Sequence, residues 1–279
     1  MSARVIITGA ASGIGREAAA ALRARGARVI GLDLDVSGPD AIRCDVRDQH
    51  SVDAAVAEAI ERLGGLDVLI NNAGVGDPQA PGDRPDADAH KVVDVNMMGP
   101  WRVTAAALPA LLASRGRVVN VASGLVHLTV PMATAYTMAK RGLVAYSDAL
   151  RLDHGDTITV TTVYPGYVRT PIHDAARARG FSLEGLVPAE PVAAAANALV
   201  RASLGRPVRN LATTRLGGAG YALLHLVPRR LVDATVLRRF RQHMAMPRPG
   251  SGLNPAPSTS RETMGIPPPG SGSKAHEND

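Results

Sequence analysis

The chain has 279 residues, of which 46% are apolar and 20% are charged, so it is long enough to bury one substantial core. Its single cysteine, Cys44, excludes an internal disulfide framework and suits a reducing compartment. The net charge of +6 comes from residues 206–246, which contain eight arginines and one aspartate, while aromatic residues make up only 3% of the chain. Because nucleic-acid sites combine basic charge with stacking or groove-reading side chains, we expect no nucleic acid partner.

Short β-rich runs alternate with helical patterns from the start of the chain. The strand runs are continuously apolar, as in Val5-Ile6-Ile7 and Val68-Leu69-Ile70, which is typical of parallel strands buried on both faces. Alternation of this kind predicts βαβ units and a doubly wound parallel α/β sheet. In chain order we predict strands at 4–8, 28–33, 41–44, 66–71, 116–122, 158–164 and 208–211, and helices at 14–25, 49–63, 87–113, 133–153 and 189–202.

Three parts of the chain differ in composition. Residues 1–212 carry the α/β pattern, residues 213–246 form a basic helical extension, and residues 247–279 are rich in Pro, Gly and Ser, which predicts a disordered tail. The first strand begins so early that we expect no signal peptide, and no apolar run approaches the roughly 20 residues that span a bilayer. A cytoplasmic protein is therefore expected.

A glycine-rich turn follows the first strand and leads into a helix, with the sequence Thr8-Gly9-Ala10-Ala11-Ser12-Gly13-Ile14-Gly15. Such a turn lets the backbone approach a pyrophosphate at a helix N-terminus, although other strand-to-helix turns also use glycine. Asp33, at the end of the second strand, is placed to accept hydrogen bonds from ribose hydroxyls. Its charge would repel a 2′-phosphate, and neither Ser12 nor Leu34 is basic, so NAD is favoured over NADP. Asp35 is the alternative carboxylate.

Tyr136 and Lys140 lie four residues apart in a helical stretch, downstream of Ser123 at a strand end. This spacing places a phenol and an ammonium on one helical face beside a hydroxyl, a set suited to moving a proton to or from a substrate oxygen. Use of the phenol as a base near neutrality requires its pKa to fall by about three units, or about 4 kcal/mol. We expect Lys140 and the positive charge of oxidised nicotinamide to lower it. An amphipathic surface pair is the structural alternative.

These motifs resemble the short-chain dehydrogenase/reductase family, in its compact single-domain branch, over residues 4 to about 205. Further matches are Cys44-Asp45-Val46, Asn71-Asn72-Ala73-Gly74 and Pro165-Gly166 with Val168 and Thr170. The resemblance implies a Rossmann-like NAD-binding catalytic domain over 1–212, with Tyr136 as acid/base supported by Lys140 and Ser123. Asn96, in a helical stretch expected to be irregular near Gly99-Pro100, would complete a tetrad through a bound water. The predicted cofactor-binding residues are Gly9, Ser12, Gly13, Ile14, Gly15, Asp33, Asp45, Val46, Asn72, Ala73, Gly74, Tyr136, Lys140, Pro165, Gly166, Val168 and Thr170, with no metal site.

The expected activity is hydride transfer between NAD(H) and a hydrophobic secondary alcohol or ketone. Alternatives are an NADP-dependent carbonyl reductase and a dinucleotide-binding regulator without catalysis. The family also suggests a homodimer or homotetramer formed through 87–113 and 133–153. Substrate-pocket and lid residues are mostly apolar and comprise Leu125, Val126, Leu128, Tyr167, Ile172, Phe181, Leu183 and Leu186.

The extension departs from the family pattern. Residues 216–242 carry apolar side chains at spacings of three and four, with five arginines toward the other side. One interpretation is a helix packed over the pocket or against a neighbouring subunit. The other is a helix lying on an anionic membrane, which gives our hypothesis of peripheral membrane contact with access to lipophilic substrates.

Overall fold

The structure is a computed structural model that describes residues 2–181, 184, 189–214 and 226–244. The described residues belong to one compact unit, Met1–Ala245. Predictions for Leu183, Leu186, the first part of the extension and the tail 247–279 lie outside the described residues. The division of the chain at residue 212 stays a prediction.

A seven-stranded parallel sheet forms the centre of the fold. Its strands are β1 (Arg4–Thr8), β2 (Arg28–Asp33), β3 (Ala41–Arg43), β4 (Val68–Asn71), β5 (Arg117–Val121), β6 (Thr159–Tyr164) and β9 (Asn210–Ala212). They lie in the order β3-β2-β1-β4-β5-β6-β9. On β1, Ile6 pairs with Ile30 of β2 on one side and with Leu69 of β4 on the other. The strand order reverses between β1 and β4, and in such sheets ligands bind where this reversal opens a crevice at the carboxyl edge.

Helices cover both faces of the sheet, as predicted. Neighbouring strand residues point to opposite faces. Ile6 therefore joins one apolar core with α2 (Gln49–Leu63) and α4 (Gly99–Ser114), while Ile7 joins the other with α1 (Gly13–Arg23) and α7 (Val192–Leu204). The doubly wound, Rossmann-like prediction is thereby confirmed. The other α-helices of the described residues are α3 (Ala87–Val93), α5 (Thr134–His154), α6 (Asp174–Ala178) and α8 (Arg229–Met244).

Two predicted helices differ from the structure. The stretch predicted as one helix over 87–113 is divided into α3 and α4 by a π-helical turn at Asp94–Met98, which is the irregularity expected near Asn96. The helix predicted over 189–202 begins only at Val192. Ahead of it, Ala189–Glu190 forms a short strand, β8, that pairs with β7 (Tyr167–Val168). Pro191 explains this difference, because a proline disfavours the helical conformation in the residue before it.

The described part of the basic extension contains α8, whose inward side packs on the domain. Val232 and Phe240 are buried and Val236 is half-buried, one turn apart from each other. The Phe240 ring lies 5.9 Å from that of Phe181, and Phe240 shares a cluster with Val130. Of the two interpretations of the extension, this packing favours a helix over the pocket. Among the described residues, no helix is both long and apolar enough to cross a membrane.

Candidate active site

A cleft of about 1420 Å³ opens along the carboxyl edge of the sheet. It extends from Asp33 and Asp45 at one end to Phe181 and Phe240 at the other. Gly15 and Asn96 do not line it and lie behind its wall. The predicted site residues that do line it are Gly9, Ser12, Gly13, Ile14, Asp33, Asp45, Val46, Asn72, Ala73, Gly74, Ser123, Tyr136, Lys140, Pro165, Gly166, Val168 and Thr170.

The glycine-rich turn has the geometry that its sequence predicts. Gly9 adopts a φ of +68° and Gly13 a φ of +53°, a region that disfavours residues with a Cβ. Gly15 is needed for close packing, because a Cβ there would lie 2.0 Å from the Gly9 carbonyl oxygen. The Asn72 side chain holds the turn by donating to the carbonyls of Thr8 and Gly9, at 3.0 and 3.1 Å. The turn ends at the N-terminus of α1, whose first N–H groups have no helical partners and suit an anion.

Asp33 lies at the end of β2, on the cleft wall. Its Oδ2 accepts a hydrogen bond from the Ala11 N–H at 2.8 Å, and its Oδ1 accepts one from the Leu34 N–H at 2.8 Å. The carboxylate therefore also stabilises the glycine-rich turn. Asp35, the alternative carboxylate, is exposed and lies outside the cleft lining.

Asp45 forms an ion pair that the sequence analysis missed. Arg47 donates to both Asp45 carboxylate oxygens, with a shortest distance of 2.6 Å, and this pairing lowers the pKa of Asp45. Arg47 also lines the cleft, so a basic group stands at the end where the adenosine was expected. The position of Arg47 two residues after Asp45 was the available signal.

Ser123, Tyr136 and Lys140 meet at the middle of the cleft. Ser123 follows β5 and its side chain forms a hydrogen bond with that of Tyr136. Lys140, one turn beyond Tyr136 on α5, donates to the Val121 carbonyl at 2.8 Å and lies 5.8 Å from the Tyr136 ring centroid. A hydroxyl, a phenol and an ammonium are thus held together by β5 and α5, with Lys140 only 3% exposed. This arrangement can bind an oxygen atom and exchange a proton with it.

The pKa shifts at this site are dominated by burial. Burial lowers the pKa of Lys140 to about 8, because a charged ammonium is poorly solvated there. Burial also raises the pKa of Tyr136, and the hydrogen bond from Ser123 opposes that rise only in part. The sequence led us to expect that Lys140 would lower the pKa of Tyr136. In the protein alone the pKa of Tyr136 is raised, so this expectation is not met.

Asn96 lies in the π-helical turn, behind Gly74. Its Nδ2 donates to the carbonyls of Val75 and Val92, both at 2.8 Å. Its Oδ1 is buried and has no hydrogen-bond partner among the described residues. A Cβ on Gly74 would lie 2.8 Å from this oxygen and 3.6 Å from Lys140 Nζ, so the amide oxygen and the ammonium flank the same small residue. A buried acceptor of this kind is usually satisfied by an ordered water.

The segment 165–170 follows β6 directly and borders the same cleft. The Pro165 carbonyl accepts from the Gly124 N–H at 2.8 Å, which ties this segment to the turn after Ser123. Thr170 approaches the glycine-rich turn, since a Cβ on Gly13 would lie 3.1 Å from its methyl group. Glu190 and Thr213 also line the cleft here and were not predicted. Thr213 follows β9 at the carboxyl edge, so the sheet order alone could have drawn attention to it.

The far end of the cleft is lined mainly by apolar side chains. Of the predicted pocket residues, Val126 does not line it, and Leu183 and Leu186 lie outside the described residues. The sequence offered a helix of the extension over the pocket as one interpretation, but it did not identify Val227 and Phe240 as lining residues. The apolar lining includes Leu125, Leu128, Val130, Met132, Tyr167, Ile172, Phe181, Val227 and Phe240.

Comparison with known proteins relates this fold and site to one family. The short chain dehydrogenase profile matches residues 3–179. The oxidoreductase UcpA of Salmonella typhimurium is 37% identical over 183 residues, which cover 60% of this chain and 70% of that protein. A putative ketoacyl reductase of Streptomyces coelicolor is 39% identical over 190 residues, with 60% and 71% covered. Dehydrogenase/reductase SDR family member 7B of Rattus norvegicus is 31% identical over 191 residues, with 61% and 59% covered.

Two solved structures have the same fold. Ligand-free aldohexose dehydrogenase of Thermoplasma acidophilum superposes with a TM-score of 0.63 at 24% identity, covering 72% of this chain and 86% of that one. An alcohol dehydrogenase of the archaeon Thermococcus sibiricus, complexed with 5-hydroxy-NADP, gives 0.66 at 23% identity, covering 76% and 96%. With the parallel sheet, the glycine-rich turn and the Ser–Tyr–Lys cluster, these matches identify the chain as a member of the short-chain dehydrogenase/reductase family and an NAD(P)-dependent oxidoreductase.

Proposed function

We propose that the protein transfers a hydride between NAD(H) and a hydrophobic secondary alcohol or ketone, with Tyr136 as the acid/base. The observation that carries this proposal is the placement of Ser123, Tyr136 and Lys140 together on the cleft wall, where Ser123 and Lys140 are buried and Tyr136 is half-buried. A regulator without catalysis would have no use for this set of groups.

Each polar residue of the site has its own role in the proposed reaction. The Ser123 and Tyr136 hydroxyls hydrogen-bond the substrate oxygen and fix its position. The bound nicotinamide supplies the hydride chemistry. Tyr136 exchanges a proton with that oxygen, and Lys140 exchanges one with Tyr136, since an ammonium with a pKa of about 8 gains or loses a proton near neutrality. The unsatisfied Oδ1 of Asn96 would hold the water that links Lys140 to solvent.

Cofactor recognition is assigned to the remaining cleft residues. The first turn of α1 would take the pyrophosphate, Asp45 and Val46 the adenine, and the 165–170 segment the nicotinamide. Asp33 supports NAD over NADP, because its carboxylate stands at the end of β2 where a ribose would lie. Arg47 forms an ion pair with Asp45. We therefore do not expect its charge to bind a 2′-phosphate and offset this preference.

The apolar end of the cleft supports a hydrophobic substrate. Phe181 and Phe240 pack against each other there and line the cleft together with Leu125 and Leu128. We propose a homodimer or homotetramer formed through α4 and α5, because these helices expose Trp101, Met138 and Leu152. A cytoplasmic location remains a prediction.

Membrane contact through 216–242 also remains a proposal, for which the described helix α8 offers its outer surface. Arg230, Arg238 and Arg241 are exposed there together with Leu231, which is 60% exposed. Anionic lipid would attract this surface. Liposome flotation of the full chain and of a chain ending at Arg215 tests this contact, and equal recovery of both in the soluble fraction would refute it.

The proposed reaction is tested by a panel of secondary alcohols and ketones, offered with NAD(H) and in parallel with NADP(H). Formation or loss of reduced cofactor is followed by absorbance. We expect turnover of apolar members with a preference for NAD(H). No turnover of any panel member in a protein that binds the cofactor would refute the proposed activity.

A further inference from the structure

An unpartnered carboxylate oxygen lies beside the segment assigned to the nicotinamide. Glu190 is in β8, paired with Val168 of β7, and lines the cleft next to Pro165 and Gly166. Its Oε2 accepts a hydrogen bond from the Thr213 hydroxyl, and the oxygen of that hydroxyl accepts one from the Gly166 N–H at 3.2 Å. Its Oε1 is buried and has no hydrogen-bond partner among the described residues.

Gly166 brings this oxygen unusually close to the backbone. A Cβ on Gly166 would lie 2.5 Å from Glu190 Oε1, so only a glycine leaves space for the carboxylate there. A buried carboxylate oxygen without a donor or a nearby cation is unfavourable. Oε1 is therefore unsatisfied in the protein alone, and Glu190 lines the cleft.

We propose that Glu190 is a cofactor-binding residue that favours the oxidised nicotinamide over the reduced one. The inference rests on the proposed function, which puts the nicotinamide against 165–170. The oxidised ring carries one positive charge that the reduced ring lacks, while both forms carry the same carboxamide. A carboxylate in this partly water-excluded cleft stabilises the charged ring selectively, and this bias favours alcohol oxidation.

The test compares dissociation constants of NAD⁺ and NADH by calorimetry in the full chain and in Glu190→Gln, which keeps the shape and removes the charge. We expect the Kd of NAD⁺ to rise roughly fivefold or more, with that of NADH changed less than about twofold. Glu61→Gln is the matched control, since Glu61 is exposed near the end of α2, at the other edge of the sheet. Equal effects on both cofactors, or none, would overturn the role of Glu190.

A second measurement needs no variant. NAD⁺ is compared with its neutral benzamide analogue in the unmodified protein, and NAD⁺ should bind more tightly by a margin that moderate salt does not remove. Equal or tighter binding of the neutral analogue contradicts the inference. Failure of the protein to bind any dinucleotide would instead overturn the proposed function, so the two failures are distinguishable.

Discussion

Lys140 lies 5.8 Å from the centre of the Tyr136 ring, and its ammonium is tied to β5 by a hydrogen bond to the Val121 carbonyl. The lysine is thus buried beside the phenol, and among the described residues no carboxylate pairs with it. This arrangement destabilises the charged ammonium, which explains its pKa of about 8. Burial of this ammonium therefore lowers the free energy of unfolding of the protein, and this loss can be measured.

Replacement of Lys140 by Met should stabilise the protein without cofactor at neutral pH. The folded-state pKa of about 8 lies below the ordinary lysine value of 10.5, so below pH 8 burial of the charge costs about 3 kcal/mol. Loss of the hydrogen bond to Val121 offsets about 1 kcal/mol, which leaves a gain of about 2 kcal/mol. Between pH 8 and 10.5 the folded state binds fewer protons than the unfolded state, so the stability contributed by Lys140 rises with pH.

Urea unfolding of the original protein and of Lys140→Met at several pH values checks the direction of this change in stability. We expect the advantage of Lys140→Met to fall by about 2 kcal/mol between about pH 7 and pH 9.5. A variant that is less stable than the original protein by the same amount at every pH would show that the ammonium is not destabilised by burial.

Substitution of Gly15 by Ala should abolish cofactor binding. The new Cβ would meet the Gly9 carbonyl oxygen at 2.0 Å and the Asn72 amide nitrogen at 2.5 Å, so the turn must move. We expect the Kd of NAD⁺ to rise more than about tenfold, with a loss of stability of about 2 kcal/mol. Gly82→Ala is the control, because a Cβ there meets no atom within 4 Å. Similar behaviour of the two variants in calorimetry would refute the role assigned to the turn.

Asp33→Asn should reduce the preference for NAD over NADP. The neutral amide no longer repels a 2′-phosphate, so we expect the ratio of the two Kd values to shift toward NADP by about tenfold. Binding of NAD itself should also weaken, because Asp33 holds the Ala11 N–H. Asp35→Asn removes the same charge outside the cleft lining and should leave the ratio unchanged. A larger shift from Asp35 than from Asp33 would transfer the role to Asp35.

Phe240→Ala should loosen α8 from the domain. Phe240 is 2% exposed and packs on Phe181 and Val130, so its truncation should cost about 3 kcal/mol of local stability. The arginines of α8 provide the assay, because trypsin cleaves after them only when the helix opens. We expect cleavage to accelerate more than about tenfold and the KM for bulky apolar substrates to rise. Leu237→Ala, at a side chain that is 40% exposed, should change neither.

Much of the central sheet was predictable because local patterns determine it. Continuous apolar strands such as Val5-Ile6-Ile7 and glycines at fixed spacing specify a parallel sheet and its cofactor turn without long-range information. The bounds of the seven strands of the central sheet therefore differ from the predictions by at most two residues. Pro191 is a local signal as well, because it indicates that the helix predicted over 189–202 begins only after it, at Val192.

The remaining features depend on contacts between distant parts of the chain. The burial that raises the pKa of Tyr136 is contributed by many residues, so its size has no local sequence signal. Glu190 contacts Gly166 and Thr213 only in the folded protein, where β8 pairs with β7 and β9 pairs with β6. The apolar stripe of α8 predicted a helix with one buried face, but only the fold identifies Phe181 and Val130 as the surface that it covers.

The central claim is tested most directly by Tyr136→Phe, which removes one hydroxyl and keeps the ring. We expect NADH to bind within about twofold of the unmodified protein, while turnover of the best substrate in the panel falls roughly 10²- to 10⁴-fold. Loss of both binding and turnover would indicate a structural role for the hydroxyl. Turnover within about threefold of the unmodified protein would contradict the assignment of Tyr136 as the acid/base.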